Sequence, residues 1–145
     1  MIQDALLEFS SAQAFTANAT GTNVVDLSEA RDIGEGEGLF VEFDCNTAVA
    51  GTAATVQFQL VAADDATLTT NATVLDETQA IAQATLVNGY RTALRIPPQI
   101  GSLGHRYFGV KYVVGGTMTG GAFSAYVVKD LEDPLKFYAV GYQVI

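Results

Sequence analysis

Arg106 to Asp130 reads RYFGVKYVVGGTMTGGAFSAYVVKD, and it narrows the choice of fold more than any other stretch of the chain. Two runs rich in aromatic and β-branched residues flank a glycine-dense link from Gly115 to Gly121. Only glycine reaches the positive φ of a tight reversal without steric cost, so the pattern predicts a long β-hairpin. Phe108, Val110, Tyr112 and Val114 fall on one face of its first strand; Tyr107, Gly109, Lys111 and Val113 fall on the other. The second strand sets Phe123, Ala125 and Val127 against Ser124, Tyr126 and Val128. Neither strand has a purely polar face. A sheet that is apolar on both sides needs cover on both, from a second sheet or from a neighbouring subunit. The expectation is an all-β protein that assembles.

The rest of the chain agrees with a β reading. Leu39, Val41 and Phe43 point inward with Glu42 outward, and Val56, Phe58 and Leu60 alternate with Gln57 and Gln59. This is the period-two signal of half-buried strands. Asn23 to Leu27 and Tyr90 to Ile96 read as further strands. Gly34 to Gly38, Asp64-Asp65 and Asn88-Gly89 read as turns or loops, and Pro97-Pro98 stops a strand because proline cannot donate to a ladder. Positions 3–16 fit a helix or a strand, and the β character of the chain beyond them favours an extended segment. Ala80 to Leu86 has the alanine content of a helix, but its spacing does not decide the matter. Strands this closely spaced suggest a sandwich or barrel.

At 145 residues the chain is one domain by length. Its one cysteine, Cys45, excludes an internal disulfide and a cysteine zinc site, and reads as a small buried residue. Its one histidine, His105, makes a histidine metal site or a histidine-based triad improbable and reads as a loop residue. The start, Met1-Ile2-Gln3-Asp4, lacks the features of a signal peptide. No stretch approaches the ~18 apolar residues of a membrane span. The expectation is a soluble chain made in a cytoplasm. A net charge of −9 argues against general nucleic-acid binding. Arg31 is the only basic residue before Arg91, whereas most of the basic residues come later in the chain. Either this is a solvated surface with chance clustering, or acidic and basic faces register one subunit against a neighbour.

Candidate chemistry is sparse. Gly34-x-Gly36-x-Gly38 has the look of a nucleotide loop, but no helix comes after it, and Glu35 and Glu37 would repel phosphate. Asp32, Glu35 and Glu37 are hard oxygen donors, yet their spacing matches no calcium loop. Asp64-Asp65 and Asp76-Glu77 could supply paired carboxylates for glycoside hydrolysis. Each pair is adjacent in sequence and placed where a turn is expected, so turn chemistry accounts for it. No Ser-His-Asp order, Gly-x-Ser-x-Gly elbow or metal spacing is present. The chain is expected not to be an enzyme, and to need no cofactor or metal.

After the break at Asp133-Pro134 comes the apolar run Lys136 to Ile145. Its Phe137, Tyr138, Val140, Tyr142 and Val144 could belong to a last core strand or to an arm that docks on a neighbour or other partner. The break favours the arm. The expected division is a sandwich domain over 1–133 and an extended arm over 134–145.

Several segments together resemble the capsid cement (decoration) proteins of tailed bacteriophages, in a family typified by a Bordetella phage. The pieces run in order: Leu6-Leu7 with Ser11 to Ala14, Thr22 to Leu27, Ala30-Arg31-Asp32-Ile33-Gly34 with Gly36-Glu37, and Gln57 to Leu60 before Asp64-Asp65. They continue through Leu94 to Pro98, Arg106-Tyr107-Phe108 with Val110 and Tyr112, Met118-Thr119 with Gly121 and Phe123, and Tyr138 to Tyr142. Ala30 to Gly34 is the most specific piece; the charged glycine-rich loop and Cys45 are particular to this chain. The resemblance implies an all-β, jelly-roll-like antiparallel sandwich of roughly eight strands. It also implies a homotrimer bound to the outer surface of a phage head, bridging major capsid protein subunits in the virion. It implies no catalytic residues; the charge and the lack of a long apolar run leave no nucleic-acid partner and no membrane expected. The alternative is a host-surface or carbohydrate-binding module, such as a head fibre or adhesion domain; the lack of tryptophan counts against a sugar platform.

Overall fold

The computed structural model describes residues 5–33, 36 and 38–129. No α-helix occurs among them. A short 3-10 turn, Ala5–Leu7, leads into β1 (Glu8–Ala14), then β2 (Ala19–Thr20), β3 (Val25–Asp26) and the long β4 (Phe40–Ala63). Then come β5 (Thr73–Glu77), β6 (Ile81–Ala82), β7 (Arg91–Arg95) and the long β8 (Tyr107–Val128). All pairings are antiparallel, in an eight-stranded sheet built on β4 and β8.

The structure corrects the expected hairpin. Residues 107–128 form one continuous strand, and their partner is β4 rather than their own second half. The pairing runs from Phe40 opposite Val128 to Ala63 opposite Tyr107. The glycine-rich stretch does not reverse the chain. It carries register shifts opposite a matching irregular stretch of β4, and such bulges bend a ribbon and increase its twist. Gly116 shows the need for glycine: its φ is +67, and a Cβ there would lie 2.1 Å from the Ala53 carbonyl oxygen.

Bent in the middle, the two-stranded ribbon supplies the centre of both layers of a sandwich. Residues 40–47 and 122–128 are flanked by β7 and β1. Residues 55–63 and 107–115 are flanked by β5 and β6 on one side and by β2 and β3 on the other. The layers meet through aromatic rings. Phe58 lies 4.7 Å from Phe43 and 5.3 Å from Phe123 between ring centroids. Val41, Phe43, Val56, Phe58 and Leu60 are buried as the alternation requires, with Leu39 half-buried against them. This is the all-β antiparallel sandwich expected.

The apolar second faces also find cover within the chain. Val61 and Ala63 turn away from the main core and pack with Leu68, Val24 and Tyr107 in a satellite cluster. The loop that delivers Leu68 is held by Asp65, which accepts bonds from the Thr69 and Thr70 amides at 2.9 and 2.7 Å. The two-faced strands therefore do not by themselves require a neighbouring subunit. The extended reading of the N-terminal segment holds in β1. Ile81–Ala82 is a two-residue strand that leads into a turn, not a helix. Asp76 and Glu77 lie in β5 rather than in a turn, because that strand pairs with Gln59 to Ala62 and the Gln59 amide reaches Glu77 at 2.7 Å.

Candidate functional site

Three clusters of polar side chains bear on function. The first is a relay of side chains that are remote in sequence. His105 Nδ1 lies 2.9 Å from Asp64 Oδ1, and its Nε2 lies 3.0 Å from Thr73 Oγ1. Carboxylate, imidazole and hydroxyl in that order are the parts of a nucleophilic triad. Catalysis would also need space for a substrate at the hydroxyl and donors for an oxyanion. His105 is only 6% exposed, so the chain of bonds acts as a pin tying the Asp64 turn to β5 and to the entry of β8. The expectation of a loop histidine holds for its position, but its role is that of a buried strut.

The second cluster joins Arg31 to Ile33 to a distant loop. Asp32 accepts bonds from the Ser102 amide and hydroxyl, both at 2.8 Å. A Cβ on Gly101 would fall 2.3 Å from the Arg31 carbonyl carbon, so the two loops touch backbone to backbone. The Ile33 amide donates to the Pro98 carbonyl at 3.2 Å. Asp32 thus spends both oxygens on a loop staple, and the Ser102 bonds hold its carboxyl below the usual range. Glu35 and Glu37, its suggested companions for calcium, lie outside the described residues. Among the described residues no group of three or more His, Cys, Asp or Glu is placed to hold a metal ion.

The third cluster lies on the outer face of the layer built on β4 and β7. Alternation turns Glu42 away from the core, yet Glu42 is 0% exposed and neither carboxylate oxygen has a hydrogen-bond partner. Arg91 Nη1 approaches it to 3.5 Å, while Arg91 Nε lies 2.7 Å from Asp44. Tyr126 donates its hydroxyl to Asp44 at 2.8 Å. Burial first, and the negative charge of Asp44 second, raise the Glu42 carboxyl to about 7, against a partial offset from Arg91. Burial and the bond to Asp44 push the Tyr126 phenol up as well.

Glu42 makes stability depend on pH. Unfolded, it ionises at its ordinary value, about 4.3. Folded, it keeps its proton to about pH 7. The folded state then binds more protons in between, so this contribution to stability is full below the unfolded value and is lost as pH rises through about 7. Asp26, Asp32, Asp64 and Asp65 shift the other way, held low mainly by bonds from Arg106, Ser102, Asn71 and Thr67 respectively. Their contributions are lost only in stronger acid. Urea unfolding at pH 5 and pH 8 should show wild type losing stability across the window and Glu42→Gln losing much less. Equal slopes for the two proteins would contradict the assignment.

Acidic and basic parts of the chain meet within the molecule. Arg106 grips Asp26 through Nε and Nη2, both at 2.6 Å, and the Lys111 ammonium donates to the Leu68 carbonyl at 2.6 Å. Part of the charge asymmetry along the sequence is therefore satisfied intramolecularly. Cys45 is buried, with its Sγ 3.2 Å from the Thr47 carbonyl oxygen, and burial pushes its thiol up. The candidate partner residues Phe137, Tyr138, Val140, Tyr142 and Val144, and the proposed boundary near 133, lie outside the described residues.

Sequence reasoning missed the His105 relay and the buried Glu42. Nothing local marks either, since Asp64, Thr73 and His105 are far apart in sequence and Glu42 has the phase of a surface residue. A comparison with curated proteins gives no match. The Bbp16 family model matches residues 9–127. That span opens within β1 and closes at the end of β8, taking in both layers of the sandwich, and the chain belongs to the Bbp16 family.

Proposed function

We propose that this chain is a structural virion protein, a capsid cement protein that binds the outside of a phage head and bridges major capsid protein subunits. One observation carries the reading: the residues most specific to the resemblance build scaffold rather than chemistry. Ala30 to Ile33 belong to a surface loop stapled to Ser102 and to the Gly101 backbone, and the only histidine is consumed as a buried strut. The family match, over residues 9–127, covers the same segments.

The physics of such a role is mass action. A ligand that binds the assembled shell but not its separated subunits stabilises the shell. A homotrimer would present three weak sites together, and linked sites can exceed single-site affinity by about 10² to 10⁴. The ribbon running through both layers makes a stiff body for that purpose, since neither layer can move without bending the strands it shares with the other.

Heads assembled without this chain should form normally but release their DNA at a lower temperature and under milder osmotic shock. Heads that withstand both as well as complete heads would remove the cement reading and bring forward a host-surface binding module.

A further inference from the structure

An asparagine side chain is open to attack by the main-chain nitrogen that follows it, most of all where that residue is glycine, which has no β-carbon to shield the nitrogen. Of the asparagines in this chain only Asn88 precedes a glycine. The side chains of Asn18, Asn23, Asn46 and Asn71 are each tied down by a hydrogen bond. Among the described residues nothing bonds the Asn88 side chain, which is exposed. The main chain at this point is held instead. Val87 to Tyr90 form a turn closed by the Tyr90 amide, which donates to the Val87 carbonyl at 3.0 Å. Gly89 has φ +87 while Asn88 lies outside the positive-φ region, the pattern of a type II turn. The Gly89 amide donates to the Cys45 carbonyl at 2.9 Å, and the Cys45 amide donates to the Tyr90 carbonyl at 2.9 Å. The turn is therefore bonded to β4 just ahead of β7.

We propose that Asn88 is a latent modification site, deamidated only when the turn and the start of β7 lift off β4. In the reaction the Gly89 nitrogen gives up its proton and bonds to Asn88 Cγ. The Cγ–Nδ2 bond breaks, and ammonia leaves. Water then opens the resulting imide on either side, giving aspartate or isoaspartate at position 88. No oxidant or other reactant is needed. The folded turn blocks the first step in two ways. A type II turn holds Asn88 at a ψ of about +120°, and closing the imide ring needs the Gly89 nitrogen to eclipse Asn88 Cβ, a rotation of roughly 120° away. The Gly89 N–H is also committed to Cys45, and breaking that bond without a new partner is costly. Both blocks disappear on local opening, which exposes a segment without unfolding the whole domain. The change is then locked in. In the isoaspartyl product the main chain runs through the former side chain and is one atom longer, so Gly89 and Tyr90 no longer meet Cys45 in register. The inference does not depend on head binding.

Peptide mass spectrometry of the full chain, aged at mildly alkaline pH, tests the gate. The reference is a synthetic peptide of residues 84–93 aged beside it. Deamidation at Asn88 should be slower in the folded chain than in the peptide by about tenfold or more, since several hydrogen bonds must open first. In urea sufficient to unfold the chain, the rate should rise to that of the peptide in the same urea. Leu94→Ala then probes where the gate lies. Leu94 anchors β7 in the core and is 7% exposed, and its truncation should speed deamidation of the folded chain by about threefold or more through easier opening of that strand. Deamidation of the folded chain at the peptide's rate would overturn the proposal, because the turn would then offer no block. A folded-state rate indifferent to Leu94→Ala would overturn the assignment of the gate to β7.

Discussion

Phe58→Ala should lower the free energy of unfolding by about 3–5 kcal/mol, the range for an aromatic truncated in a packed core. Phe58 is 1% exposed and lies where the two layers meet. Its ring is 4.7 Å from Phe43, 5.3 Å from Phe123 and 5.9 Å from Tyr112, centroid to centroid. Phe43 and Phe123 belong to one layer, Phe58 and Tyr112 to the other. Removing the ring takes away apolar burial and leaves a void that the stiff ribbon around it cannot easily collapse. The Tyr112 hydroxyl, hydrogen-bonded to Ser10 at 2.5 Å, further limits how the neighbours can repack. Urea unfolding of the variant beside wild type measures the loss directly. A loss below about 1 kcal/mol, typical of a surface change, would mean that the layers do not close over this ring.

Gly116→Val should cost a comparable amount for a different reason. The site has φ +67, which a β-branched residue adopts only under strain of about 1–3 kcal/mol. The new Cβ would also meet the Ala53 carbonyl oxygen at 2.1 Å, and forced displacement in a packed region adds about 1–3 kcal/mol. Together the expected loss is about 2–6 kcal/mol. It should appear as a lower denaturant midpoint together with altered amide chemical shifts on both sides of the bend, in β4 and in β8. A hairpin at this position would confine the shifts to β8, so the same spectrum separates the two topologies.

What was legible in the sequence was what each strand shows on its own. Leu39, Val41 and Phe43, then Val56, Phe58 and Leu60, announce their inner face by alternation, and both sets reach the core. Pairing was not legible. Residues 39–43 and 55–60 read as separate strands, and 106–130 as two, whereas each long strand runs unbroken through its bend. Glycine density marks where a chain departs from regular geometry. Whether it reverses there or bends in concert with a partner depends on residues far away, and Thr47 to Thr55, the partner stretch, gives little hydrophobic signal. The same distance hid the polar clusters. Asp64, Thr73 and His105 each look like an ordinary turn, strand or loop residue until the fold joins them. Glu42 has the phase of an exposed residue and is nonetheless fully buried, which no period can foretell.

The central functional claim is that the chain binds an assembled head from outside. The most direct measurement adds the purified protein to heads that lack it, sediments the particles and images them by electron cryo-microscopy. The chain should pellet with the heads, add density outside the shell over the joints between capsid subunits, and raise the temperature of DNA release. A chain that stays in the supernatant and leaves the shell and its release temperature unchanged would contradict it.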